Sequence, residues 1–158
     1  MTKTIIGILG GGQLGMMLSD AAKKVGIQTH IYCPEDNCPA SLSSEFFTKE
    51  DYNNKNAIER FSKQVDFITY EFENIPIETI DFIKNNEKIR PGKRSLLLTQ
   101  DRLTEKEFLG SLNIPIAPYM SIETANDLRT AHMEFKDCII KTRTLGYDGK
   151  GQESIKNQ

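Results

Sequence analysis

The sequence predicts an α/β fold on a mostly parallel sheet, and three observations carry that prediction. Short apolar runs rich in β-branched residues alternate with segments of helical period, a glycine cluster separates the first run from the first helix, and turn residues fall between the units. The first strand is residues 4–9 (TIIGIL), bounded by glycine and apolar enough to be covered on both faces. Leu14, Met17, Leu18, Ala21, Ala22 and Val25 then recur at helical spacing. Gly26 is placed to end that helix before a second strand at residues 28–33, which completes a β-α-β unit.

Pro34, Asn37 and Pro39 break the pattern. A weaker strand at residues 45–48, a helix over 55–64, a strand at 65–70, a turn through Asn74 and Pro76, and a helix near 78–85 follow. Such alternation implies right-handed crossovers and gathers ligands at the carboxyl ends of the strands. Around Arg90-Pro91-Gly92 the rhythm changes, and the domain boundary is placed near residue 92. Beyond it the pattern predicts a helix at 101–112 ended by Asn113 and Pro115, and an extended segment at 116–122. A helix opened by Thr124 and Asp127 as a capping pair comes next, then a strand at 138–141 and a glycine-rich loop at 142–152. A strand at 153–155 is expected to find no partner within the chain, so Lys156-Asn157-Gln158 offers no natural domain ending.

At 158 residues with 38% apolar content, the chain has enough material for a core. Twenty basic against twenty-two acidic side chains leave a formal charge of -2, which argues against nucleic acid as the main partner. No apolar run approaches the roughly 20 residues of a membrane-spanning helix, and the opening residues do not read as a signal peptide. A soluble cytoplasmic protein without a membrane partner is expected. Cys33, Cys38 and Cys138 have no Cys-x-x-Cys spacing, which fits reduced thiols. His30 stands near the first two, but three candidate ligands without a second paired motif make a weak zinc site.

Four segments could carry chemistry. Gly10-Gly11-Gly12-Gln13-Leu14-Gly15 satisfies G-x-G-x-x-G between a strand and a helix, where backbone amides can approach an anion. Glu35 and Asp36 loosely match the acidic residue of the dinucleotide version. NAD, another phosphorylated ligand, and a turn that only packs helix on strand all remain open for this motif. In Tyr70-Glu71-Phe72-Glu73-Asn74, strand alternation puts Glu71 and Glu73 on one face. Either could accept hydrogen bonds from ribose hydroxyls or an amine, with Glu73 favoured, against a solvated strand end.

A strand delivers Lys141, and the loop beyond it, Thr142 to Gln152, carries Gly146, Gly149 and Gly151 with Lys150. This can fold over phosphates, or be a hairpin with solvated charges, and it is not a Walker sequence. Arg102 is an odd cation at a helix N-terminus, explained by a bound phosphate or by pairing with Glu105 or Glu107.

In this order the segments GILGGGQLGMML, TYEFENIP, PGKRSLLLTQDRLTEKEFL and IIKTRTLGYDGKGQ resemble the N5-carboxyaminoimidazole ribonucleotide synthetases, ATP-grasp ligases of purine biosynthesis, over nearly the whole chain. The resemblance implies a Rossmann-like pre-ATP-grasp, substrate-binding domain at residues 1–92 and the incomplete beginning of an ATP-grasp domain at 93–158. It implies ATP contacts at Arg102, Lys141, Gly146, Tyr147, Asp148, Gly149, Lys150, Gly151 and Gln152, and ribonucleotide contacts at Gly12, Gln13, Leu14, Glu73 and Asn74. The implied reaction uses ATP to phosphorylate bicarbonate to carboxyphosphate, and then carboxylates the amine of aminoimidazole ribonucleotide.

Mg²⁺ is the implied cofactor beside ATP, with its ligands in a later part of the family's chain. The small-molecule partners are then ATP, bicarbonate and aminoimidazole ribonucleotide, and the chain is expected to be a truncated piece with little or no ligase activity alone. Two alternatives stay open: an NAD-dependent Rossmann oxidoreductase, and a non-catalytic binding module or homodimerising surface.

Overall fold

A computed structural model describes residues 3–146 and 149–156. The chain divides into two compact units, Met1–Leu97 and Leu98–Gln158.

The first unit holds a four-stranded parallel sheet. Its strands are β1 (Ile5–Leu9), β2 (Gln28–Cys33), β3 (Phe46–Lys49) and β4 (Phe67–Tyr70), in the order β3-β2-β1-β4. Register pairs Gly7 with His30 on one side of β1 and with Ile68 on the other. The chain therefore leaves β1 toward β2 and later returns to its opposite flank at β4. This reversal of strand order opens a crevice at the carboxyl edge of an α/β sheet.

Each sheet face has its own core. On one, Leu9, Tyr32 and Ile68 pack with Ala57, Ile58 and Phe61 of α2 (Lys55–Lys63), Ile80 of α3 (Ile77–Asp81) and Leu96 of α4 (Lys93–Thr99). Asn54 caps α2 by accepting from the Ala57 amide at 3.1 Å, which satisfies a backbone donor the helix cannot. On the other face Ile8, Ile31, Cys33, Cys38 and Ala40 form a smaller cluster, with Met16 of α1 (Gln13–Lys24) packed on it.

The periodicity that marked α1 is real, but its apolar stripe faces outward. Leu14 is 51% exposed and Met17 62%, while the helix turns Gly15 and Ser19 to the sheet. Small residues let the helix approach the first turn closely, at the cost of leaving the larger ones in solvent.

Phe61 fills the space above Gly7, where an added Cβ would stand 2.6 Å from its Cζ. Its ring meets those of His30 and Tyr32 edge-on, at 4.9 and 5.2 Å between centroids. His30 is only 5% exposed and its Nε2 shares a 2.8 Å hydrogen bond with Thr48 Oγ1. Burial lowers its pKa to about 4, against an ordinary 6.5.

The sign of the resulting pH dependence follows directly. Between about pH 6.5 and 4 the unfolded imidazole binds a proton that the folded one refuses, so protons favour unfolding. Stability is expected to be flat above pH 6.5 with respect to this group and to fall by up to about 3 kcal/mol as pH drops toward 4. Urea denaturation across that range, in the native chain and in His30→Gln, measures this component. It should be missing in the variant.

The second unit contains α5 (Arg102–Ser111), α6 (Ala125–Phe135) and a hairpin of β5 (Cys138–Lys141) with β6 (Gln152–Ile155). Thr124 and Asp127 form the predicted capping box at the start of α6. The expectation that residues 153–155 would lack a partner is corrected. β6 pairs antiparallel with β5, Lys141 opposite Gln152, because the glycine loop between them reverses the chain. Ile139 is nonetheless 58% exposed, so one face of this hairpin carries little cover.

Two further boundaries differ from the sequence-based expectation. The helix expected near 78–85 ends at Asp81, and α4 was not anticipated where the rhythm changed. Leu96 of α4 is fully buried in the larger core, and tertiary packing of that kind outweighs weak local pattern.

Candidate functional site

At the sheet's carboxyl edge three connections converge. The Gly10 amide donates to the Tyr32 carbonyl at 3.0 Å, the Glu71 amide to the Leu9 carbonyl at 3.1 Å, and the Ala40 amide to the Gly11 carbonyl at 2.9 Å. The segments after β1, β2 and β4 are thereby tied into one structure. Gly10 has φ +112°, a backbone conformation that side chains disfavour.

The glycine turn encloses a side chain of the same chain. Glu71 Oε1 accepts from the Gly12 amide and Oε2 from the Gly15 amide, both at 2.5 Å. A Cβ added at Gly10 would stand 2.4 Å from Glu71 Cγ, and one at Gly12 or Gly15 would stand 2.9 Å from a carboxylate oxygen. Behind the turn, a Cβ on Gly11 would lie 2.5 Å from both Cys33 Sγ and Cys38 Sγ. Burial pushes the Cys33 thiol up to about 12, which leaves it protonated and unreactive at neutral pH. His30 packs on the opposite sheet face, against Phe61, so the three residues weighed as zinc ligands do not converge.

The strand alternation invoked for Glu71 and Glu73 does not extend that far, since β4 ends at Tyr70 and a turn follows. Glu71 is the carboxylate that reaches the glycines. Glu73 and Asn74 are half-buried in the same turn, with the Asn74 Nδ2 and the Tyr70 hydroxyl both buried and without a partner. Such orphaned donors are rare in finished cores and common where a ligand binds. Gln13 and Leu14 stand exposed on the first turn of α1. Asp36, one of the acidic residues considered for a dinucleotide ribose, pairs with Lys49.

In the second unit Arg102 organises the loop after β5. Its Nη1 donates to the carbonyls of Thr142 at 3.1 Å and Leu145 at 2.8 Å, and its Nη2 to that of Gly146 at 2.7 Å. Neither Glu105 nor Glu107 is the partner expected as the ordinary explanation for this cation. Asp101 caps α5 through the amides of Leu103 and Thr104 and pairs with Arg143 at 2.7 Å. Partial desolvation pushes the Asp101 carboxyl up, but the Arg143 hydrogen bond and the Thr104 and Leu103 amides outweigh it and hold the group below its ordinary value.

The loop's glycines are required by its shape. Gly146 and Gly151 have φ +69° and +65°, and a Cβ on either would stand 2.7 Å from Thr142 Oγ1. Gly149 shares the positive φ, and even Leu145 is held at +58°. Lys141, at the end of β5, is exposed beside this loop, and Gly149, Lys150, Gly151 and Gln152 lead into β6. Tyr147 and Asp148, also expected to contact ATP, lie outside the described residues. The structure thus brings together Arg102, Gly146 and the segment after Lys141. The Asp101–Arg143 pair was missed, and an N-cap aspartate before Arg102 was its only trace in the sequence.

Comparisons with known proteins agree with this architecture. The family described as the ribonucleotide synthetase preATP-grasp domain matches residues 1–100, and the ATP-grasp domain family matches residues 107–158. The chain is 45% identical over 97% of its length to a bifunctional purine synthesis protein of Dictyostelium discoideum, of which it covers 15%. It is 37% identical over 98% of its length to the N5-carboxyaminoimidazole ribonucleotide synthase of Bacillus subtilis, of which it covers 41%. A crystal structure of the Staphylococcus aureus N5-carboxyaminoimidazole synthetase complexed with ADP superposes with a TM-score of 0.88 at 37% identity, covering 99% of this chain and 43% of that one. The chain therefore spans about two fifths of the length of these bacterial relatives.

Proposed function

The chain belongs to the family of ribonucleotide synthetase preATP-grasp domains, and on that premise we propose that it serves an ATP-dependent ligase that carboxylates 5-aminoimidazole ribonucleotide. ATP phosphorylates bicarbonate to carboxyphosphate and leaves as ADP, and the ribonucleotide amine then takes the carboxyl group as phosphate departs. No protein nucleophile is needed for this chemistry, in which positioning and charge stabilisation lower the barriers.

Residues 1–92 act as the substrate-binding domain and residues 93–158 as the beginning of an ATP-grasp domain. The observation that carries this assignment is the loop after Lys141, shaped by three glycines and fastened to Arg102. Lys141 supplies charge to a triphosphate, and closure of the glycine loop that follows it would keep water away from the labile intermediate. Arg102 supports ATP by holding that loop.

Gln13, Leu14, Glu73 and Asn74 line the ribonucleotide side, where the orphaned Asn74 donor awaits an acceptor. Gly12 contributes only the close approach of its bare backbone, since its amide is engaged by Glu71 and its carbonyl by the Met16 amide. Mg²⁺ would offset phosphate charge during transfer, and no ligand for it is assigned in this chain. Among the described residues no group of three or more His, Cys, Asp or Glu stands together, and none of the helices is long and apolar enough to cross a membrane. A cytoplasmic location belongs to the same proposal, with a homodimer as one form of the assembled enzyme.

Calorimetric titration of the chain with ADP, aminoimidazole ribonucleotide and NAD⁺ tests the proposal. Saturable heats are expected for the first two and none for the third, and Lys141→Met should weaken ADP by about tenfold or more. Heat with NAD⁺ alone would make the protein an oxidoreductase instead.

A further inference from the structure

We propose that Glu71 is a specificity-determining residue, a built-in anion that closes the glycine turn to phosphate and pyrophosphate. The inference rests on the first unit's geometry and does not depend on the ligase assignment.

A G-x-G-x-x-G turn opening a helix normally presents unsatisfied amides and the positive end of the helix dipole to a phosphorylated ligand. Here both carboxylate oxygens of Glu71 are already seated there, Oε1 on the Gly12 amide and Oε2 on the Gly15 amide. The seat is built for this side chain. Gly10, Gly12 and Gly15 are the three positions where a Cβ would run into Glu71, at 2.4, 2.9 and 2.9 Å. The glycines that look like a phosphate fingerprint are thus accounted for by an internal carboxylate.

Glu71 is also fixed from behind, because its own amide is bonded to the Leu9 carbonyl at the end of the central strand. A phosphate entering the turn would have to displace a tethered anion or accept contact with a like charge, and both oppose binding. Any phosphorylated ligand at this sheet edge must place its phosphate elsewhere. Dinucleotides, which need their pyrophosphate on these amides, are rejected.

Two-dimensional ¹H–¹⁵N spectra of the full chain, titrated with inorganic pyrophosphate into the millimolar range, test this. In the native chain the Gly12 and Gly15 amides should not move. In Glu71→Ala the vacated seat should bind pyrophosphate at least about tenfold more tightly, with saturable shifts at those two amides. A residue with a purely structural role would not yield this gain. Glu71→Gln keeps the side chain's bulk without its charge and should show a smaller gain if Glu71→Ala fails to fold. Saturable shifts of Gly12 and Gly15 in the native chain, or a folded Glu71→Ala with no gain, would overturn the proposal. If neither variant folds, the native titration alone decides between the two.

Discussion

Phe61→Ala is expected to destabilise the first unit by about 3–5 kcal/mol, a large part of the roughly 5–15 kcal/mol that holds a domain of this size together. The ring is 1% exposed, touches His30 and Tyr32 edge-on, and lies directly over Gly7. Its removal leaves a cavity beneath a sheet that cannot collapse, because β1 is hydrogen-bonded on both flanks. Urea denaturation followed by circular dichroism measures the loss. A cost below about 1.5 kcal/mol would mean that the larger core is not organised around this ring.

A double-mutant cycle sharpens the test. Gly7→Ala alone forces a Cβ to within 2.6 Å of Phe61 and should cost about 1–3 kcal/mol. In the Phe61→Ala background the same change meets only Val65 Cγ2, at 3.1 Å. Its cost should largely vanish, giving a coupling of at least about 1 kcal/mol.

The second large effect is expected at Arg102. Replacing it with alanine removes a guanidinium that holds the carbonyls of Thr142, Leu145 and Gly146, and a loop in which Leu145, Gly146, Gly149 and Gly151 all hold positive φ has little reason to keep its shape unaided. Hydrogen bonds from a charged group contribute about 1.5–3 kcal/mol, so ADP affinity should fall by about 10- to 100-fold. Arg102→Lys separates position from charge. A lysine keeps the cation but not the planar fork, so it should recover little of the affinity if the loop's geometry is what Arg102 supplies. Full recovery would mean that charge alone matters at this position.

Much of the fold could be read from the sequence, because the strands of a parallel sheet are short apolar runs and the glycine turns punctuate them. β1, β2, α2 and β5 fall close to their expected positions, and the Thr124–Asp127 cap is where its residue types place it. What the sequence hid depends on contacts between distant residues. Periodicity found α1 but not its orientation, since a helix with small residues on one face and apolar ones on another satisfies the same spacing.

Glu71 and Glu73 are both carboxylates two positions apart, and only the end of β4 at Tyr70 decides which one points into the glycines. Arg102 was singled out because a cation at a helix start needs explaining. Its partners lie some forty residues away, and their carbonyl oxygens leave no mark in the sequence. The pairing of β6 was missed, although a hairpin was one reading of the loop before it, because the strand after that loop was expected to find no partner within the chain.

The strand order has a consequence for synthesis. β1 is translated first, yet one of its edges waits for β4, where Ile6 pairs with Phe67. Until that segment emerges, the nascent chain holds β1 with at most one neighbour, and closing so long a loop carries an entropic cost that local contacts do not repay. Completion of the sheet therefore waits until β4 has left the ribosome, and the newborn β1 edge is the place where a chaperone or another nascent chain would first find a partner.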